Sequence, residues 1–219
     1  MSVILAIDTS TARATICLSR DGKLVDLMEN EEQKDHAAWL QPAVAELMKN
    51  NDTRLSALTA VAVTIGPGSY TGLRVGLSAA KGYCYALKIP LIGLNTLEVM
   101  AHSVKESAID WICPMIDARR MEVFTAIYDL ELKEQLPPQA MILQGEYFES
   151  LLAEHPILFC GNGSEKIKLL LKDGRQSFIS VNNLALSLIT LAENALKKQK
   201  FSDIAYTEPL YLKEFHSTT

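Results

Sequence analysis

The chain has 219 residues, 48% of them hydrophobic and 21% charged, enough apolar sequence for one large domain or two small ones and too little bias for a disordered or fibrous protein. Its net charge of −5 and pI near 5.4 exclude a chain that grips nucleic acid through bulk charge, while a local basic patch stays open. The N-terminal "MSVILAIDTST" lacks a basic n-region and its apolar run is short, so no signal peptide is expected.

Val3 to Ile7 is a short apolar run and reads as a buried strand. A turn, "DTSTAR", leads to a second strand, "ATICLS". The Asp-Gly hairpin signal in "RDGK" then leads to a third, "LVDLME". Three strands joined by tight turns are expected to be antiparallel neighbours. A helix follows from about Asp35 to Lys49, where Trp39, Leu40, Ala43, Val44, Leu47 and Met48 recur at helical spacing; Pro42 should kink or separate its first turn. "AVAVTI" reads as the fourth strand, the Gly-rich stretch "GPGSYTGLRVG" as a loop opening a helix to about Leu87, and "IPLIGL" as the fifth strand. "NTLEVMAHSVKE" reads as a helix, with Asn95 as N-cap and Glu98 at the capping-box position. Leu55 to Leu73 carries no formal charge and is long enough to span a bilayer, but its breaker cluster and hydroxyls make it a buried strand plus loop. The order β-β-β-α-β-α-β-α implies a mixed sheet covered by helices.

After about Ser103 the pattern resets. "WICPMID" and "EVFTAIYDL" read as strands around the charged turn "ARRM", "KEQLPPQA" as a loop, "YFESLLAEH" as a short helix and "PILFC" as a strand. "GNGS" is a turn, "EKIKLLLK" a helix and "NNLALSLITLAENALKKQ" an amphipathic helix. The tail "YTEPLYLKEFHSTT" should end partly extended and partly disordered. No internal repeat is visible, and the second half is too short for a complete second copy of the first. Two lobes are expected, 1–103 and 104–219, with the helix at 183–199 a candidate to pack back on the first.

"GPGSYTGLRVG" (Gly66 to Gly76) holds four of the eleven glycines. It is no Walker loop, because Leu73 stands where the phosphate lysine belongs. The dinucleotide fingerprint fails because its third glycine comes one residue late, and the nucleophile elbow fails around Ser69, where Pro67 and Thr71 occupy the glycine positions. A tight turn capped by Ser69 or Thr71 remains. Gly72, Gly76 and Ala80 fall four apart on one helix face. That spacing leaves two readings: packing inside the domain, or close approach of a helix from another chain. "AIDTSTA" is either a plain turn or the phosphate turn of an actin-like ATPase. Gly161 and Gly163 in "CGNGSEK" suit a nucleotide's edge or an ordinary loop. Asp117, Arg119 and Arg120 in "DARRMEV" are solvated turn charges or line a cleft. His36, His102, His155 and His216 show no ligand spacing with one another or with cysteine, so no protein-built metal site is expected. Cys17, Cys84, Cys113 and Cys160 lie in apolar segments without a C-x-x-C pair and read as buried reduced thiols.

In this order, "ILAIDTST", "GPGSYTGLRVG", "DARRMEVF", "CGNGS" and "EPLYL" resemble the TsaB (YeaZ) family of bacteria across nearly the whole chain, "GPGSYTGLRVG" most specifically. The resemblance implies an α/β actin-like (ASKHA, RNase H-like) fold with two lobes, the second reduced. It implies a cytoplasmic, non-catalytic subunit for assembly and activation of the complex that forms threonylcarbamoyladenosine in tRNA. In that complex the paralogous TsaD carries the metal and the transfer chemistry, and a P-loop ATPase, TsaE, assists. Contact with tRNA is then indirect. The first two helices of the first lobe pair with those of TsaD, or with a second copy when the chain is alone. This makes Gly72, Gly76, Ala80 and Tyr83 the expected partner interface. Thr9 stands where actin-like phosphate turns usually have glycine, and a side chain there limits phosphate approach. No cofactor is therefore expected, with ATP or ADP held only weakly or within the complex. The rival reading is a weak ATPase or kinase-like enzyme of the same fold, resting on Asp8, Thr9, Ser10 and the loop at Gly161 and Gly163. A glycoprotease-like peptidase finds no nucleophile, base and metal set.

Overall fold

The computed structural model describes residues 1–32, 35–172 and 174–213. The elements run β1 (Val3–Asp8), β2 (Ala14–Arg20), β3 (Lys23–Asn30), α1 (His36–Asn50), β4 (Ala60–Gly66), α2 (Tyr70–Leu87), β5 (Leu91–Asn95) and α3 (Thr96–Val104). They continue as β6 (Trp111–Asp117), β7 (Glu122–Tyr128), β8 (Glu134–Ile142), α4 (Gly145–Glu154), β9 (Ile157–Cys160), α5 (Ser164–Lys168), β10 (Gln176–Ile179) and α6 (Ala185–Lys197). Two compact units result, Met1–Thr96 with Leu184–Leu210, and Leu97–Asn183 with the chain from Tyr211 on. The border expected at 103 therefore moves to Thr96. Each sheet hands its following helix to the other unit: α3 after β5, and α6 after β10.

The first sheet has the order β3-β2-β1-β4-β5. β1 pairs antiparallel with β2 and parallel with β4. Covered on both faces, β1 is apolar from Val3 to Ile7, and it is buried along its whole length to Asp8. Its alternation divides the two faces. Leu5 and Ile7, with Ile16, Leu18, Val61 and Val63, pack under α1 and α2 against Leu40, Val44, Leu47 and Leu77. On the other face Cys17 points at the Ala185 carbonyl of α6, 3.9 Å away. Each buried leucine or isoleucine contributes about 1.5–3 kcal/mol. α1 runs unbroken through Pro42, which stands on its exposed side, so no separate first turn forms.

The second sheet has the order β10-β9-β6-β7-β8. β6 pairs antiparallel with β7 and parallel with β9, as β1 does with β2 and β4. The strand topology of the first sheet is thus repeated in full. The reduction lies in the helices: α2 has 18 residues and its counterpart α5 has 5. The sequence trace of the repeat is "GPGS" after β4 and "GNGS" after β9.

Two strands are corrections. "KEQLPPQA" is not a loop but most of β8, an edge strand. Thr125 pairs with Gln139 and Ile127 with Leu136, so Pro137 and Pro138 together face Ala126 in a bulge. Proline is tolerated there because an edge strand has a free side and a bulge leaves residues unpaired. β10, unassigned in the sequence, completes the parallel edge beside β9.

All four cysteines are buried and free. Burial pushes the Cys84 thiol up to about 11 and the thiols of Cys17 and Cys113 up to about 12, so none is poised as a nucleophile. Among the described residues no helix is long and apolar enough to cross a membrane. The final segment 214–219, with His216 and the expected disorder, lies outside the described residues.

Candidate functional site

At the carboxyl end of β1 the chain places Asp8, Thr9 and Ser10, all buried. The Asp8 carboxylate points back into its own turn. Its Oδ1 accepts from the Ser10 amide at 2.9 Å, the Ser10 hydroxyl at 2.6 Å and the Thr64 hydroxyl of β4 at 2.7 Å. Hydrogen bonds to a charged acceptor are the stronger kind, so this oxygen is well satisfied from within the chain. The Thr9 hydroxyl donates to the Gly72 carbonyl at 2.7 Å in the first turn of α2. The Ser10 carbonyl accepts from the Ser69 amide at 2.7 Å. Ser69 is the N-cap of α2, its hydroxyl taking the Gly72 amide at 3.3 Å.

The glycines explain how the turn and the helix come this close. A Cβ at Gly72 would overlap the Thr9 carbonyl oxygen, one at Gly76 the Thr9 hydroxyl, and one at Gly68 the Ser10 carbonyl. Ala80, next along the same face, is fully buried. The expectation of a partner interface at Gly72, Gly76 and Ala80 is therefore corrected: this face lies against the domain's own β1 and β4. Tyr83 is half-buried, its hydroxyl 2.5 Å from Gln41 Oε1 of α1. The outer face of α2 carries a second small stripe, Ser78, Gly82 and Ala86, all exposed, with nothing within 4 Å of a Cβ at Gly82. Tyr85 beside it is 81% exposed.

The second unit repeats the arrangement in a more open form. Asp117 closes β6 as Asp8 closes β1. Its amide donates to the Asn162 side chain at 2.9 Å, and its Oδ1 accepts from Lys166 Nζ and from the Arg119 amide, both at 2.6 Å. Partial burial works to raise this carboxyl, but the Lys166 and Arg119 hydrogen bonds outweigh it and hold it below the usual carboxylate value. Gly161, with φ 88°, presses on the Met115 carbonyl, and Gly163 donates its amide to the same oxygen at 3.0 Å. A cleft of about 410 Å³ opens beside this loop, lined by Asn162, Ser164, Glu165, Lys168 and Phe178 among others. The structure thus brings Asp117, Arg119, Gly161 and Gly163 together within one unit. Thr64, Asn162 and Lys166, which complete the two clusters, were not singled out from sequence. The "GNGS" echo of "GPGS" was the available signal for Asn162. Among the described residues no three of His, Cys, Asp and Glu gather so as to hold a metal.

Two sheets of one topology, each with an aspartate ending its first strand and a glycine turn after its first crossover, define an actin-like α/β protein. The ethanolamine utilization protein EutJ of Carboxydothermus hydrogenoformans shares this fold with a TM-score of 0.51 at 11% identity, over 88% of this chain and 90% of that one. A structure titled YeaZ from Pseudomonas aeruginosa is far more similar, with a TM-score of 0.82 and 25% identity over 97% of this chain and all of that one. A family described as "TsaD: tRNA N6-adenosine threonylcarbamoyltransferase" matches residues 29–214. The tRNA threonylcarbamoyladenosine biosynthesis protein TsaB of Bacillus subtilis is 33% identical over 80% of this chain and 79% of its own length. Its Escherichia coli namesake is 34% identical over 57% of this chain and 54% of its own. The chain belongs to the TsaB (YeaZ) family.

Proposed function

We infer that this protein is a non-catalytic subunit for tRNA threonylcarbamoyladenosine biosynthesis, acting by assembly with the TsaD paralogue, with TsaE joining the complex. One observation supports the non-catalytic reading: the chain's own groups take up Oδ1 of the Asp8 carboxylate and the Ser10 amide beside it. An actin-like protein that used this turn for nucleotide would leave backbone amides open to phosphate and the carboxylate open to the cation that accompanies it. Here Asp8 Oδ1 already takes three donors, and Thr9 is locked beneath α2. On this reading the turn does not hold a nucleotide phosphate. The names of the Bacillus and Escherichia relatives support the biosynthetic role.

The docking face is the outer surface of α1 and α2. Ala37, Ala38 and Ala45 of α1 and Ser78, Gly82 and Ala86 of α2 are exposed and small, which lets helices from a partner approach closely. Tyr85 stands beside them as an aromatic anchor. The test is sedimentation velocity with the TsaD paralogue from the same source. A heterodimer is expected with the wild-type chain, and Tyr85→Ala should weaken it at least tenfold without lowering the melting temperature. Wild-type affinity in Tyr85→Ala would move the interface elsewhere.

A further inference from the structure

Between β6 and β7 the chain reverses through Arg119 and Arg120, whose φ angles are 70° and 51°. Both lie in the left-handed region that glycine or asparagine normally fills in a hairpin turn. Nothing in the closure of this turn calls for arginine. Its bonds come from the backbone and from Asp117: the Ala118 amide to the Glu122 carbonyl at 3.1 Å, the Glu122 amide to the Arg119 carbonyl at 3.1 Å, and the Arg119 amide to Asp117 Oδ1. The flanking carboxylates are already answered, Asp117 by Lys166 at 2.6 Å and Glu122 by Lys213. Both arginines are exposed and belong to none of the ion pairs among the described residues. Four cations thus gather about two carboxylates, a local positive surplus on a chain whose net charge is −5. Glu165 and Lys168 of α5 line the adjoining cleft and balance each other.

We propose that Arg119 and Arg120 are a docking point for the phosphodiester backbone of RNA. The inference rests on the role in tRNA modification given above, and it turns an indirect relation to tRNA into a direct contact. Two guanidinium forks carried at the tip of a hairpin suit phosphate oxygens, which they grip in bidentate fashion. Such contacts position an RNA without reading its bases, so they need no deep groove beside them. Met121, next in the turn and 45% exposed, offers an apolar contact to a sugar or a base face.

The experiment uses an unmodified, fluorescein-labelled tRNA transcript and the full chain, alone and mixed with its TsaD paralogue. Anisotropy titrations run from about 50 to 200 mM salt, the range over which phosphate contacts weaken steeply. The main variant is Arg119→Gly with Arg120→Gly. Glycine accepts both backbone conformations, so the melting temperature should hold or rise. Loss of two phosphate contacts should lower the slope of log K against log salt by about 1.4–1.8. Affinity at the lowest salt should fall severalfold or more. Arg119→Lys with Arg120→Lys should restore the slope. An unchanged slope in the glycine variant would overturn the proposal, as would a wild-type chain that binds no tRNA either alone or in the mixture. So would unchanged tRNA binding with lost paralogue binding, which would assign the turn to a protein partner. If the wild-type pair assembles and supports modification while the slope stays put, only the RNA contact fails. If the pair never assembles, the role in the complex fails, and titration of the chain alone still decides the contact.

Discussion

Gly76→Leu should destabilise the first unit, whereas Gly82→Leu should leave its stability intact and impair association. The two glycines lie on different faces of one helix, Gly76 against the sheet and Gly82 open to solvent. A side chain at position 76 would run into the Thr9 hydroxyl, Val63 and Ile7, where β1, β4 and α2 meet. Overpacking at such a site costs about 3 kcal/mol, toward the upper end of the usual range, which lowers the melting temperature of a chain this size by roughly 6–12 °C. At Gly82 a side chain enters open space, and leucine favours helix over glycine by about 0.7 kcal/mol. Its melting temperature should hold or rise, while binding to the TsaD paralogue should weaken about tenfold to a hundredfold. Thermal melts and sedimentation of both variants check this. A stable Gly76→Leu that fails to associate would return the inner stripe to the interface.

Asp8→Ala should be as damaging, through lost polar contacts rather than lost space. Removing the carboxylate strands the Ser10 amide and the hydroxyls of Ser10 and Thr64, all buried. Buried donors without an acceptor cost about 1–3 kcal/mol each, and because the three share one oxygen the total is about 3–5 kcal/mol. Asp8→Asn keeps an acceptor at that point and should cost about 1–2 kcal/mol. Urea denaturation measures both. ATP added to the wild-type chain should not raise its denaturation midpoint. A clear rise that disappears in Asp8→Asn would assign Asp8 to nucleotide instead.

The β-β-β-α-β-α-β-α order of the first unit was legible because each element obeys a single period. β1 is apolar from Val3 to Ile7, as a strand covered on both faces must be, and α1 repeats Leu40, Val44 and Leu47 on one face. The second unit was harder to read. β8 hides behind two prolines that only an edge bulge can hold, and β10 is four residues between charged and polar segments. The repeat was hard to see because it survives in strand order and, in sequence, only in the short echo of "GPGS" by "GNGS". In the candidate site, Asp8 and the dense glycine were evident, but their meaning depended on contacts distant in sequence. Thr64 reaches Asp8 from another strand, and Thr9 meets Gly72 across the first crossover. Two small stripes on α2, 72-76-80 and 78-82-86, look alike in sequence, and only the position of the sheet shows that the first faces inward.

The central claim is that this chain assists threonylcarbamoyl transfer without performing it. An omission assay tests it most directly. Unmodified tRNA and an activated threonylcarbamoyl donor are incubated with this chain alone, with the TsaD paralogue alone, and with both, TsaE and ATP being present throughout. Modified nucleoside is then quantified by mass spectrometry. The account predicts none with this chain alone and sustained formation only when both are present. Formation by this chain without the paralogue, or a yield from the paralogue that does not depend on this chain, would contradict it.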